Sequence, residues 1–181
     1  MTSRGIALAA VAGLVAANRP LHGSPSGLPM PVISLGHPDD PDSCCRQQPT
    51  NTSCCREMDC LKQWWDAGGV GVDTAHVYGT QDPVGRALAA YQPKRVFITT
   101  KIPCAGAAGA AAALIAQDLQ KLNLSTVDLL AIHNNGDDSH YCNNKENVSA
   151  TWRALQSAHA AGQARSIVSL AALCIRIPAL C

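Results

Sequence analysis

The sequence predicts an α/β fold of about five parallel strands and four helices, an incomplete (β/α)8 barrel (TIM barrel). Short runs of apolar and β-branched residues alternate with segments of helical period, and each strand-helix unit takes roughly 30 residues. Such repeats build a parallel sheet with right-handed crossovers, either an open doubly wound sheet or part of a barrel. No Gly-x-Gly-x-x-Gly follows any strand, so the nucleotide-binding turn of the open sheet has no support and the barrel is favoured.

Val32 to Gly36, bounded by Pro31 and Gly36, is the first strand candidate. Met58, Leu61 and Trp65 fall at helical spacing before the stop signal Gly68-Gly69, which gives a helix over 57–67. Val70 to Ala75 forms the second strand. Asp82-Pro83 opens a helix with Val84, Leu88 and Tyr91 on one face and Pro93 beyond its end. Val96 to Thr100 suits a strand covered on both faces, ending at Lys101. The Ala-rich stretch 105–113 leads into the stripe Ile115, Leu119, Leu122, and Val127 to Ile132 forms the fourth strand. Val148, Trp152 and Leu155 mark a helix stopped by Gly162, followed by a fifth strand at Ala164 to Leu170.

The chain has 181 residues, 14 Lys+Arg and 13 Asp+Glu, hence a formal net charge of +1 that points to no polyanionic partner. Apolar residues reach 47%, enough for a core, while charged residues at 15% lie below the roughly 25% of average soluble domains. Aromatic content of 4% removes the stacking platforms of single-strand nucleic-acid binders, so no nucleic acid is expected as a partner.

The N-terminus has the pattern of a secretory signal over residues 1–17: Arg4, the apolar run Ile6 to Ala17, and the small residues Ala16-Ala17 before polar Asn18. That run is shorter than the about 20 residues a bilayer-spanning helix needs, so no membrane association is expected after its removal. A plastid or mitochondrial transit peptide is the alternative. Residues 18–27 read as a linker. Nine cysteines and the sequons at Asn51, Asn123 and Asn147 agree with an oxidising, glycosylating compartment, so the expected location is the secretory pathway or the extracellular space. The spacing Cys44-Cys45, Cys54-Cys55, Cys60 does not match the paired thiolates of zinc sites, so disulfides are favoured and no metal is expected.

Ionisable residues collect where the strands end: Asp73 and Tyr78 after the second, Lys101 after the third, His133 after the fourth. Each has a structural explanation taken singly, as a turn cap, a solvated strand end, a rim histidine or loop packing. On successive parallel strands all four would face one pocket at the C-terminal rim. A phenol that titrates near 10 donates a proton more readily beside an ammonium that stabilises the phenolate. Lys101 would supply that charge, Asp73 would hold Lys101, and His133 would orient a carbonyl oxygen. A carbonyl so polarised accepts hydride, which no side chain stores, so a reduced nicotinamide cofactor is required.

At these residues the sequence resembles the aldo-keto reductase family, (β/α)8 barrels that reduce aldehydes and ketones with NADPH. The segment Gly71-Val72-Asp73-Thr74-Ala75-His76-Val77-Tyr78-Gly79, followed by Val84-Gly85, is similar to the family's Asp-Thr-Ala-x-x-Tyr-Gly signature. Phe97 to Lys101 resembles the strand ending in the catalytic lysine, and Val127 to His133 the strand ending in the catalytic histidine. Thr151 to Leu155 and Gly162 to Ile167 resemble the next helix and strand. The resemblance implies Tyr78 as general acid, Lys101 and Asp73 as its tuning pair, and His133 as the carbonyl-orienting group. It also implies NADPH as cofactor, with Asp73 and Ser169 near it, and a small carbonyl substrate against His133 and Asn134.

The resemblance places a partial reductase barrel at 28–170, with a Cys-rich insert at 39–57 and a divergent tail at 171–181. Leu170 stands where the family has an asparagine, and the later strands that grip the cofactor are not in this sequence, as expected of a truncated chain. Open barrel edges imply self-association. The insert, Cys104 and Cys142 fall in loops on the catalytic face, where bridges would staple a lid. A catalytically inactive reductase-like binding or regulatory protein is the alternative function.

Overall fold

The computed structural model describes residues 19–20, 29–36, 56–94, 96–133 and 145–169. The expected signal at 1–17, most of the insert at 39–57, Asn134, Cys142 and the tail at 171–181 lie outside these. Two short strands, β1 (Arg19–Pro20) and β2 (Pro29–Met30), pair antiparallel, so the stretch read as a linker contributes to a small ladder. The main sheet follows: β3 (Ser34–Gly36), α1 (Arg56–Asp66), β4 (Gly71–Asp73), a 3-10 turn (His76–Tyr78) and α2 (Gln81–Tyr91). The chain continues through β5 (Phe97–Pro103), α3 (Ala108–Leu122), β6 (Val127–His133), α4 (Lys145–Ala160) and β7 (Ala164–Ser169).

The five strands β3-β4-β5-β6-β7 pair in sequence order and all in parallel. Each crossover carries a helix, the connection that parallel pairing requires. This is part of a (β/α)8 barrel wall, with β3 and β7 at the edges of the described sheet. The core lies between the sheet and its helices. Val72, Ile98, Ile102, Leu130 and Ile132 from the strands meet Leu61, Val84, Ile115, Leu122 and Leu155 from the helices. Each buried Leu or Ile contributes about 1.5–3 kcal/mol relative to exposure, which explains why the apolar stripes of the sequence locate the helices. The helix over 57–67 begins one residue earlier, and Gly68 closes it at φ 88°.

One strand runs further than its apolar pattern. β5 extends past Lys101 through Ile102 to Pro103, and Pro103 pairs with His133. The expected stop at Lys101 fails because the charge is satisfied inside the sheet rather than at its end. No described helix is long and apolar enough to cross a membrane.

Candidate active site

Side chains alternate across a strand, so residues opposite one another in a parallel ladder share a face. The register aligns Asp73 with Thr99 and Lys101 with Ala131, and His133 lies two residues beyond Ala131 on the same face. Ile98, Ile102, Leu130 and Ile132 occupy the alternate rows and belong to the helix-facing core. Asp73, Lys101 and His133 therefore project from neighbouring strands into one space.

Lys101 is only 8% exposed. Its Nζ donates to Asp73 Oδ1 at 2.5 Å and to the Thr74 carbonyl oxygen at 3.0 Å. An ammonium taken from water without such partners would cost several kcal/mol. Asp73 keeps 38% of its side chain exposed, so the pair opens to solvent on the carboxylate side.

Tyr78 comes from the 3-10 turn after β4. Ala75 enters the turn extended, and Tyr78 N donates to the Ala75 carbonyl at 3.1 Å. Gly79 leaves it at φ 67°, a left-handed conformation costly for residues with a Cβ. The turn swings the phenol back over the strand ends. Its oxygen lies 3.2 Å from His133 Nε2, with the two rings edge to face at 5.2 Å between centroids. Lys101 Nζ stands 4.9 Å from the centre of the Tyr78 ring. Phenol, imidazole, ammonium and carboxylate thus form one cluster from residues 60 positions apart at the extremes.

Of the other expected site residues, Ser169 ends β7 in the row of Ile132 rather than that of His133, away from the cluster's face of the sheet. Its Oγ is buried and has no hydrogen-bond partner among the described residues. Asn134 lies outside them. Cys104, in the loop after β5, is buried and disulfide-bonded, whereas Cys60 on α1 is an exposed free thiol.

A second polar group, behind the first, has no counterpart in the sequence reading. His76 Nδ1 is 2.6 Å from Asp118 Oδ1, Thr100 Oγ1 donates to Asp118 Oδ2 at 3.3 Å, and Gln81 Nε2 donates to Thr100 at 3.3 Å. Asp118 is fully buried on α3, and loss of hydration raises its pKa against the lowering effects of His76, Thr100 and Lys121. The signal was available: Asp118 lies three residues after Ile115, inside the apolar stripe.

The profile of the aldo/keto reductase family matches residues 47–169, more than half of the chain, and the chain belongs to that family. An aldo-keto reductase of Mycolicibacterium smegmatis is 38% identical over 107 residues, 56% of this chain and 35% of the relative. The structure of Bombyx mori aldo-keto reductase in complex with NADP superposes with a TM-score of 0.60 at 26% identity, covering 85% of this chain and 51% of that one. A Brucella melitensis aldo/keto reductase gives 0.63 at 23% identity, covering 80% and 51%. The chain spans about a third of the curated relative it matches and about half of these solved structures.

Proposed function

We propose that this chain carries the reacting half of an NADPH-dependent carbonyl reductase, converting an aldehyde or ketone to an alcohol. The observation that carries the reading is the approach of Tyr78 Oη to His133 Nε2 at 3.2 Å, with the Lys101 ammonium behind the phenol. Two hydrogen-bonding atoms at that separation can both reach one carbonyl oxygen at about 2.7–3.2 Å. His133 donates from Nε2 and orients the carbonyl, and Tyr78 gives the oxygen its proton. Lys101 stabilises the phenolate left behind, and Asp73 fixes the ammonium in place. Reduced nicotinamide, when bound, supplies the hydride to the carbonyl carbon.

The residues present fit the nicotinamide end of such a cofactor. Asp73 and Lys101 border the space, with the Asp73 carboxylate open to it, whereas Ser169 projects from the alternate row of β7 and lends that space no group. Secretion, a disulfide-stapled lid and association through the edges β3 and β7 remain parts of this reading. A chain that binds without reacting, the alternative, has no separate observation in its favour.

NADPH fluorescence titration of the purified chain tests the proposal. Saturable binding supports it. Absence of binding assigns the chain to the non-catalytic class.

A further inference from the structure

The buried cluster behind the site joins the two segments that carry the reacting pair. His76 begins the 3-10 turn that presents Tyr78, and Thr100 precedes Lys101 on β5. Asp118, on α3, holds one with each carboxylate oxygen. Gln81, the first residue of α2 and fully buried, ties the far end of the same loop to Thr100. The loop is pinned once more by Thr74 and Thr80, whose hydroxyls meet at 2.6 Å.

We infer that Asp118 is a positioning residue: by gripping His76 and Thr100 together, it sets the distance between the Tyr78 phenol and the Lys101 ammonium. A merely stabilising role is poorly served by this choice of residue. Ile115, Leu119 and Leu122 already seal the same helix face, and a volume-matched apolar side chain there would escape the desolvation of a carboxylate. What an apolar residue cannot do is hold two particular donors at fixed places. His76 Nδ1 meets Oδ1, which leaves Oδ2 to Thr100. His76 keeps 20% of its side chain exposed and Asp118 1%, so the grip closes on the buried side of the turn, while Tyr78 faces Lys101 and His133.

The inference rests on the reading of Tyr78 as proton donor, but its test needs neither cofactor nor substrate. The chain has three tyrosines, Tyr78, Tyr91 and Tyr141. Tyrosine isotope-labelled at Cζ therefore gives three NMR signals, assigned by single Tyr→Phe exchanges, and their pH titration reads each phenol. Among the described residues, the charged and titratable groups around Tyr78 include Lys101 from β5, Asp73 from β4 and His133 from β6, with His76 on its own turn.

Asp118→Asn replaces one acceptor oxygen by a donor amide that must face either His76 or Thr100. His76→Phe keeps the ring and removes Nδ1. In each variant Tyr78 should ionise at a pH higher by about one unit as it drifts from Lys101, while Tyr91 stays unchanged. The double variant should move no further than either single one, because both cut the same link. Folded variants whose Tyr78 titrates as in the parent overturn the inference, whatever stability they lose. Should Asp118→Asn fail to fold, the partly exposed His76→Phe decides alone. Absence of NADPH binding with a shifted Tyr78 would remove the enzymatic reading and leave the positioning role standing.

Discussion

Lys101 Nζ sits 2.5 Å from Asp73 Oδ1, joining two adjacent strands at the point where the Tyr78 ring covers them. The pair is asymmetric: the lysine side chain is 9% exposed and the aspartate 38%. Stability and chemistry can therefore be separated at this contact.

Lys101→Met keeps the aliphatic stem and leaves a carboxylate that water can reach. Its cost to stability should fall short of the 3–5 kcal/mol of a broken, fully buried pair, at about 1–2 kcal/mol by urea denaturation. Carbonyl reduction should fall about 10²–10³-fold, since the charge beside the phenol is gone. Equal, small effects on both would contradict the assigned role.

Asp118 gives a pH dependence of definite sign. Burial raises its pKa above 3.8, so over the interval from that value up to the native one the folded state binds more protons than the unfolded. The stability contributed by this group falls as pH rises through that interval. Asp118→Asn lacks the titration, so melting temperatures of variant and parent should shift in the variant's favour as pH rises from 3.8 through the mildly acidic range. A difference that stays flat, or moves the other way, would show that the charge is not desolvated in solution.

Gly85 reports on helix packing away from the site. A Cβ there would stand 2.3 Å from the Lys121 carbonyl oxygen and 2.9 Å from the Leu122 carbonyl carbon, so α2 and α3 approach through this glycine. Gly85→Ala should cost about 1–3 kcal/mol by pushing the helices apart. Unchanged thermal stability would mean that the two helices are not in contact.

The strands and helices were legible because the core is built from simple periods. The stripe Ile115, Leu119, Leu122 and the unbroken run Val127 to Ile132 each have one stable arrangement, against the neighbouring layer. Asp73, Tyr78, Lys101 and His133 were legible for a related reason: polar residues ending apolar strands must share a rim once the strands are parallel. Lys101 nonetheless lies inside β5 and not at its end, because the partners that allow it to be buried, Asp73 and the Thr74 carbonyl, belong to another strand and its loop. Asp118 went unread for the same cause, its partners being 42 and 18 residues away. Ser169 shows the limit of position alone, since it ends β7 but in the row of Ile132.

The most direct measurement compares carbonyl-dependent NADPH oxidation by the parent chain and by Tyr78→Phe, with NADPH affinity measured on the same samples. The exchange removes only the phenolic proton, so binding should be equal and the turnover number about 10²–10⁴-fold lower in the variant. Turnover by Tyr78→Phe at the parent's rate would contradict proton donation by Tyr78, and with it the carbonyl-reductase reading of the four-residue cluster.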